Sequence, residues 1–327
     1  MSTAPRLSIV VPFYNEQQSI TPLHAAIDAA VTPLGIPYEM VFVDDGSKDS
    51  TFAIGVEIAR RDPRVRMVRF RRNYGQTAAM AAGIEQAHGE VIVTMDGDLQ
   101  NDPADIGAFL ANIDAGNDIV VGWRFNRQDK LISRKIPSRI ANRLIARVTG
   151  VPIRDNGCSL KAYRADLIKK IPLYSEMHRF IPAVASIAGP RIAEIKVNHH
   201  ARQFGQSKYG LSRVYKVLLD LLVIKTVTTF TAKPLLWFGL LSLPLLMCSG
   251  IALAWSLYAV LFAGRPLALS LPISGSGLIY FSGAVIIASH GILGELIYKL
   301  SGFNQHEFSG LTRKLIAPET RSGGAKP

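Results

Sequence analysis

The sequence predicts an α/β fold in which helices cover a mostly parallel sheet, followed by a C-terminal pair of membrane-spanning helices. Three observations support this fold class. Short β-rich runs alternate with helical patterns through the first 125 residues, polar clusters follow three of those runs, and two long C-terminal segments lack charged residues. The chain of 327 residues, 48% of them hydrophobic, is long and apolar enough for a sizeable core, which excludes disorder as its dominant state.

The β-rich runs are short and regularly spaced. We predict strands over Leu7–Pro12, Glu39–Asp44, Val65–Phe70, Val91–Met95 and Ile119–Trp123. Helical patterns lie between them over 19–34, 50–61 and 76–87, and a further helix begins near Pro103 with Asp102 as its N-cap. Strands that alternate with helices in this way predict a mostly parallel sheet with helices on both of its faces.

The apolar residues concentrate near the C-terminal end. The segments 234–264 and 266–294 contain no Asp, Glu, Lys or Arg, and each exceeds the roughly 20 residues that cross a bilayer as a helix. A core helix of a soluble protein would show a polar face at a spacing of 3.6 residues, and neither segment does. We therefore predict transmembrane helices over Leu235–Phe262 and Ile273–Tyr298, joined as a hairpin by the short link 263–267.

Basic residues flank the predicted hairpin on both sides, whereas its link carries only Arg265. The flanking cations are Arg202, Lys208, Arg213, Lys216, Lys225 and Lys233 before it and Lys299, Arg313, Lys314, Arg321 and Lys326 after it. The positive-inside rule then places both termini in the cytoplasm. We attribute the net charge of +12 to basic residues near the membrane surface, and we expect membrane lipids and no nucleic acid as partners.

The changes in composition predict four regions. Residues 1–210 form a cytosolic domain, 211–233 a juxtamembrane amphipathic helix, 234–300 the two transmembrane helices, and 301–327 a cytosolic tail. A second amphipathic pattern lies within the first region, where 130–149 carries a basic stripe and an apolar stripe at i, i+4 spacing. We expect 130–149 and 212–230 to lie at an anionic membrane surface, although ordinary packing helices would show similar patterns.

Three polar clusters, 12–16, 44–47 and 96–100, follow the first, second and fourth predicted strands. Ligands of parallel sheets bind beyond the carboxyl ends of the strands, so we expect one site there. Asp96 and Asp98 would repel each other unless a cation lay between them, and oxygen ligands suit Mg²⁺ or Mn²⁺. The carbonyl of Gln100 could supply a third ligand. A solvated acidic turn is the alternative, whereas a calcium loop is excluded because Asn101 stands where its glycine belongs.

These clusters resemble the motifs of family 2 glycosyltransferases, which have the Rossmann-like GT-A fold. The matching segments are V-P-x-Y-N-E at 11–16, D-D-G-S at 44–47 and D-x-D-L-Q at 96–100. The resemblance implies a nucleotide held by Pro12, Tyr14, Glu16 and Asp45. It also implies that Asp96, Asp98 and Gln100 bind the metal, Mg²⁺ or Mn²⁺, and the diphosphate of the donor.

Further segments resemble the polyprenyl-phosphate glycosyltransferases, such as dolichyl-phosphate mannose synthase and the bacterial undecaprenyl-phosphate glucosyl and aminoarabinose transferases. They are 72–76, 156–164, 178–182 and 205–209, and the similarity runs from residue 7 to about 300. One departure is Gly97, where many relatives carry alanine between the two aspartates. Glycine is small enough that we expect no loss of function.

The narrower resemblance implies an acceptor side of the site. Arg134 and Ser138 would bind the lipid phosphate, and Arg124 would lie where donor and acceptor meet. Asp155 stands at the family's candidate base position, although a role in orienting the acceptor, balancing arginine charge or capping remains open. Arg202 and Lys208 would close over the donor diphosphate, or would instead form a basic patch that binds headgroups.

The implied reaction is a single in-line displacement with inversion, in which the lipid phosphate attacks a nucleotide sugar. The catalytic residues would be Asp98, Asp155 and Arg124. A phosphate nucleophile is already ionised and needs little help from a base. The bacterial character of the motifs favours a UDP-sugar donor, an undecaprenyl phosphate acceptor, a homo-oligomer and the inner membrane.

Three alternatives are weighed against this function. A processive polysaccharide synthase shares the acidic motifs, but its usual Q-x-x-R-W segment is missing from the sequence. A sugar-phosphate nucleotidyltransferase would need no hairpin. A membrane-anchored headgroup-binding protein without enzymatic activity would explain the hairpin and the basic helices but not three polar clusters at one edge of a sheet.

Overall fold

A computed structural model of the chain describes residues 4–125, 146, 150–171, 173, 177–185, 189–201, 233–264 and 266–300. The chain divides into two compact units, Met1–Ile224 and Lys225–Pro327. The four regional boundaries taken from the sequence stay predictions.

The first unit is built on one seven-stranded sheet with the order β3-β2-β1-β4-β6-β5-β7. Its strands are β1 (Leu7–Phe13), β2 (Tyr38–Asp44), β3 (Val65–Arg69), β4 (Val91–Thr94), β5 (Ile119–Arg124), β6 (Lys161–Arg164) and β7 (Ile192–Val197). Strand β6 runs antiparallel to both β4 and β5, and every other pairing is parallel. The mostly parallel sheet and its five predicted strands are confirmed, whereas β6 and β7 were not predicted.

Helices connect the parallel strands. They are α1 (Ile20–Val31), α2 (Thr51–Arg61), α3 (Gln76–Gln86), α4 (Ile106–Asp114), α5 (Ala165–Ile168) and α6 (Ile181–Ala185), with 3₁₀ turns at Thr32–Leu34, Pro103–Asp105 and Met177–Arg179. The turn before α4 has the predicted start, because the Asp102 side chain accepts a hydrogen bond from the Ala104 backbone N–H at 3.0 Å. Pro103 occupies its first position, where a missing N–H costs little.

Two apolar layers cover the two faces of the sheet, and alternate residues of β1 contribute to each. Ile9 belongs to a core cluster that includes Leu23 of α1, whereas Val10 belongs to a cluster that includes Met80 of α3. Side chains alternate between the two faces along a strand, so the sequence of a central strand that is buried on both faces is a continuous run of apolar residues. The prediction of helices on both faces is therefore confirmed.

The antiparallel direction of β6 determines which segments meet at the carboxyl ends of the parallel strands. Its first residue, Lys161, pairs with Thr94 at the end of β4 and with Val121 of β5. Because β6 runs the other way, the loop that leads into it lies at the same edge of the sheet as the loop that follows β4. The end of β5, at Arg124, reaches this edge as well.

The second unit contains α7 (Pro234–Leu261) and α8 (Leu267–Leu300), both long and apolar enough to cross a membrane. The two helices pack together, and the hydroxyls of Ser256 and Ser274 lie 2.6 Å apart across their seam. The predicted hairpin is confirmed, and its two apolar helices identify a membrane protein. Helix α8 begins at Leu267, earlier than the predicted Ile273, and it includes Pro272.

Candidate active site

The loops after β1 and β2 are joined by hydrogen bonds. The backbone N–H of Asn15 donates to Ser47 Oγ at 2.9 Å, and the N–H of Lys48 donates to Asn15 Oδ1 at 2.8 Å. Below them, the N–H of Asp45 donates to the carbonyl of Phe13 at 2.8 Å. Asn15 has a φ of 54°, a left-handed conformation that asparagine tolerates better than most residues. Two of the predicted polar clusters therefore form one continuous surface.

Asp45 is buried and binds the loop that leads into α3. Its Oδ1 accepts the backbone N–H of Tyr74 at 2.7 Å, and its Oδ2 accepts the N–H of Gly75 at 2.9 Å and the side-chain amide of Asn73 at 2.8 Å. Burial raises the pKa of Asp45, and the two backbone hydrogen bonds oppose that rise. The carboxylate thus fixes the position of the 73–75 loop.

A cavity of about 400 Å³ opens beside this loop, lined by Gly46, Ser47, Arg69, Phe70 and Arg71. Gly46 allows the close approach of the two loops, because a Cβ at this position would lie 2.4 Å from the backbone carbon of Arg72. Its φ of +69° also favours glycine. The cavity combines an aromatic ring with two cations, which suits a nucleotide.

The loop after β4 holds the Asp-x-Asp pair. Asp98 is buried, and its Oδ1 accepts the backbone N–H of Gln100 at 3.2 Å. Asp96 is half-buried and accepts a hydrogen bond from the side-chain amide of Gln76. Between the carboxylate and the glutamine, Leu99 has a φ of 61°, a conformation that is rare for a bulky residue and that clusters at functional sites.

The donor chemistry of this loop fits a hard divalent cation. Two carboxylates lie within three residues, and the Gln100 carbonyl, which accepts the N–H of His200 at 2.9 Å, retains a second lone pair. Among the described residues, no group of three His, Cys, Asp or Glu side chains could hold a metal ion. An ion held by Asp96 and Asp98 would therefore complete its coordination with substrate oxygens and water, as Mg²⁺ commonly does.

Arg124, at the end of β5, and Asp155, in the loop before β6, form a buried ion pair. Arg124 Nε donates to Asp155 Oδ2 at 2.7 Å, and a terminal nitrogen donates to Oδ1 at 2.8 Å. Burial opposes the charge of Arg124, but the hydrogen bonds and the charge of Asp155 outweigh it and raise the arginine pKa above its ordinary value. The charge of Asp96 acts in the same direction.

A buried lysine that the sequence did not single out lies behind this pair. Lys161 Nζ donates to the carbonyl oxygens of Asn156 and His178, each at 3.3 Å. Burial lowers the pKa of Lys161 to about 8 and the pKa of His178 well below its usual value. His178 in turn shares a hydrogen bond of 2.6 Å with Thr77 of α3. The resembling segments contain these residues, but only the fold reveals that they touch.

The segment after β7 also contacts the segment that follows β4. His199 forms a β-bridge with Asn101, and Asn101 Oδ1 accepts the hydroxyl of Ser159 at 2.8 Å. The segment that carries the predicted Arg202 and Lys208 therefore begins beside the Asp-x-Asp loop. These two residues, the predicted Arg134 and Ser138, and almost all of the predicted helices 130–149 and 212–230 lie outside the described residues.

The predicted site residues that the structure describes all lie at the carboxyl edge of the parallel strands. They are Pro12, Tyr14, Glu16, Asp45, Asp96, Asp98, Gln100, Arg124 and Asp155. Sequence reasoning missed the side chains that support them, namely Asn73, Gln76, Asn101, Asn156, Lys161 and His178. All of them except Asn101 lie in segments 72–76, 156–164 and 178–182, whose resemblance to the family was the signal that the sequence offered for this second set.

A GT-A-like sheet with an Asp-x-Asp loop at the end of its fourth strand defines a glycosyltransferase. The chain belongs to glycosyl transferase family 2, whose model matches residues 8–172. A curated relative, dodecaprenyl-phosphate galacturonate synthase of Rhizobium johnstonii, is 44% identical over 295 residues, which cover 89% of this chain and 87% of that protein.

Other comparisons agree with this family. Undecaprenyl-phosphate 4-deoxy-4-formamido-L-arabinose transferase of Salmonella paratyphi A is 37% identical over 97% of this chain and 95% of its own. The structure of glucosyl-3-phosphoglycerate synthase from Mycobacterium tuberculosis with Mn²⁺ and UDP-glucose has a TM-score of 0.51 at 15% identity, covering 68% of this chain and 79% of that one. At that identity the structural match shows the fold, while the sequence relatives confirm the resemblance to polyprenyl-phosphate glycosyltransferases.

Proposed function

We propose that this protein transfers a sugar, with inversion, from a UDP-sugar to the phosphate of undecaprenyl phosphate or a similar polyprenyl phosphate. The reaction takes place at the cytoplasmic face of the bacterial inner membrane. The observation that carries the proposal is that the segment after β4, with Asp96–Gln100, meets the loop that begins at Asp155. Ser159 Oγ donates to Asn101 Oδ1 at 2.8 Å, and Asp155 pairs with the buried Arg124, in a chain with two apolar helices. The names of the sequence relatives support a polyprenyl phosphate acceptor.

The donor binds across the loops after β1, β2 and β4. The cavity lined by Gly46–Ser47 and Arg69–Arg71 takes the nucleoside. Pro12, Tyr14 and Glu16 contribute from the neighbouring segment, whose Asn15 N–H donates to Ser47 Oγ of that lining. Asp45 contributes by holding the loop 73–75 against this cavity. Mg²⁺ or Mn²⁺ held by Asp96, Asp98 and Gln100 neutralises the charge of the departing diphosphate. Arg202 and Lys208, downstream of the His200 contact to Gln100, close over the same diphosphate.

The acceptor approaches from the side of Arg124. Arg134 and Ser138 bind the lipid phosphate, since arginine can donate two hydrogen bonds to one phosphate. The ionised phosphate oxygen then attacks the anomeric carbon directly. Asp155 orients Arg124 and balances its charge, because both of its carboxylate oxygens already accept guanidinium hydrogens. A role as the general base is less compatible with that pairing.

The names of the relatives indicate which sugars to test first. One relative is named for galacturonate and the other for a formamido-arabinose. Because the galacturonate synthase shows the higher identity of the two, UDP-galacturonate is the first donor to test.

The experiment incubates the purified full-length protein with undecaprenyl phosphate, a panel of sugar nucleotides and Mg²⁺ or Mn²⁺. Mass spectrometry identifies the lipid product, and NMR of the anomeric proton determines whether the configuration is inverted. Asp98→Ala should abolish transfer. Glu57→Ala is the control, because this carboxylate pairs with Arg60 and Arg61 on the exposed surface of α2, away from the carboxyl ends of the strands. Equal transfer rates for Asp98→Ala and the wild type would contradict the proposed mechanism.

A further inference from the structure

The loop 155–159, which leads into β6, is held rigidly through its backbone. Lys161 Nζ donates to the Asn156 carbonyl at 3.3 Å, and the Thr94 hydroxyl donates to the Ser159 carbonyl at 3.0 Å. At its start, Asp155 is fixed by two hydrogen bonds from Arg124. These contacts leave the loop little freedom to move when a ligand arrives.

One polar group of this rigid loop is left without a partner. Asn156 is 3% exposed, and its buried Nδ2 has no hydrogen-bond partner within the part of the chain that the structure describes. Buried polar groups are nearly always hydrogen-bonded, since an unpaired donor loses its contact with water and gains nothing in exchange. A rigid loop that keeps such a donor next to Asp155 points to a ligand that supplies the missing acceptor.

The surroundings of Asn156 favour an anionic acceptor. Lys161 Nζ lies 3.3 Å from the Asn156 carbonyl oxygen, and a terminal nitrogen of Arg124 lies 3.1 Å from the position that a Cβ on Gly157 would take. Two cationic side chains therefore lie beside this loop. An anionic phosphate oxygen suits this position, because hydrogen bonds to ionised acceptors are the stronger ones and the two cations stabilise its charge.

We propose that Asn156 is a substrate-binding residue whose side-chain amide donates a hydrogen bond to a phosphoryl oxygen. Lys161 is its positioning residue, because it holds the Asn156 carbonyl and links the loop to the His178 turn. The inference rests on the proposed function for the identity of the phosphate. That phosphate belongs either to the lipid acceptor or to the donor diphosphate, and the experiment distinguishes the two.

The first measurement compares the melting temperatures of Asn156→Leu and Asn101→Leu in the detergent-solubilised full chain. Both asparagines are buried at the same edge, but Asn101 Oδ1 accepts two hydrogen bonds, from Asp96 N at 3.2 Å and Ser159 Oγ at 2.8 Å. Asn101→Leu should lower the melting temperature, whereas Asn156→Leu should preserve or raise it, because it removes an unpaired donor. An equal decrease of the melting temperature in both variants would show that Asn156 has a structural role and would overturn the inference.

The second measurement is binding without turnover. Dissociation constants for undecaprenyl phosphate and for UDP are determined separately for the wild type and Asn156→Leu. One of the two should rise about tenfold, the effect of losing one hydrogen bond to a charged oxygen, while the other stays within about twofold. The affected probe identifies the phosphate. Unchanged constants for both probes would overturn the inference even if transfer by the wild type is established, so its failure differs from failure of the proposed function.

The positioning role of Lys161 is tested by a double-mutant cycle. Lys161→Met should weaken the same probe as Asn156→Leu, and Lys161→Arg should restore part of the binding, because it keeps the charge and the donors. In the Asn156→Leu background, Lys161→Met should add little to the loss of binding, since that background already lacks the amide that Lys161 is proposed to position. Fully additive effects would show that Lys161 does not act through Asn156.

Discussion

Arg124 holds both carboxylate oxygens of Asp155, at 2.7 and 2.8 Å, and thereby joins the end of β5 to the loop before β6. The same loop also contacts the segment after β4, because Ser159 Oγ donates to Asn101 Oδ1 at 2.8 Å. These contacts together connect the segment that would bind the donor diphosphate to the segment that would face the acceptor.

Replacement of Asp155 by Asn should reduce both stability and transfer. The change leaves the buried guanidinium of Arg124 without its counter-ion, and breaking such a pair typically costs about 3–5 kcal/mol. Urea unfolding and steady-state kinetics measure the two effects. If Asp155 positions Arg124, kcat falls without a change in the shape of the pH–rate profile. Loss of an acidic limb from that profile would instead identify a general base.

Glu57→Gln is the control for this prediction. Glu57 pairs with Arg60 and Arg61 on the exposed surface of α2, where the arginine side chains are 74% and 77% exposed. Exposed pairs of this kind contribute about 0–1 kcal/mol, so stability and activity should both stay close to the wild type.

The sequence predicted the parallel strands and the Asp-x-Asp loop because both depend on local patterns. Strand β4 is a short apolar run that ends at two aspartates, and those features are visible without a fold. Strand β6 is different, since its four residues, K-A-Y-R, begin with a lysine that local pattern would place at the surface. Lys161 is buried only because its partners, the carbonyls of Asn156 and His178, arrive from other segments. Contacts between different segments of the chain cannot be predicted from a local sequence pattern.

Gly97→Ala should destabilise this protein although many relatives carry alanine at the position. A Cβ at residue 97 would lie 2.6 Å from the ring of Phe13 and 3.0 Å from the Pro12 carbonyl oxygen. Overpacking of this kind typically costs about 1–3 kcal/mol. Phe13→Leu should make space, so the double variant should be more stable than the sum of the single effects predicts. Additive losses in denaturant unfolding would contradict the steric explanation.

Acid should destabilise the first unit partly through Asp62. Burial raises the pKa of Asp62, but hydrogen bonds from Arg64 and His24 outweigh burial and lower it to about 2. The carboxylate therefore stabilises the fold above its ordinary pKa of 3.8, and this contribution, roughly 2 kcal/mol, is lost as the pH falls toward 2. Melting temperatures between pH 5 and 2 should fall less steeply in Asp62→Asn than in the wild type. Equal slopes would exclude Asp62 as a source of the acid sensitivity.

Ser256→Leu should weaken the helical hairpin. Ser256 is buried, its hydroxyl lies 2.6 Å from that of Ser274, and small residues in such seams let membrane helices approach closely. Leucine removes the hydrogen bond and adds bulk at the contact. Ser276→Leu is the matched control, because this serine is exposed on α8 and bonds only within its own helix. The melting temperature in detergent should fall for Ser256→Leu and stay unchanged for Ser276→Leu, and equal values for the two would contradict this packing.

Asp45→Asn should weaken binding of the nucleotide through the loop 73–75. The carboxylate oxygens accept hydrogen bonds from three N–H groups. In asparagine, an NH₂ group replaces one of these oxygens, and its hydrogens would face N–H donors that then have no acceptor. The dissociation constant of UDP should rise on the order of tenfold, as expected for disruption of a charge-assisted network. Asn73→Ala removes one of the same contacts and should produce a smaller rise. If Asp45 acts through the loop, the dissociation constant of UDP for the double variant should be only slightly higher than that for Asp45→Asn. Independent effects of the two changes on this constant would indicate that Asp45 touches the nucleotide itself.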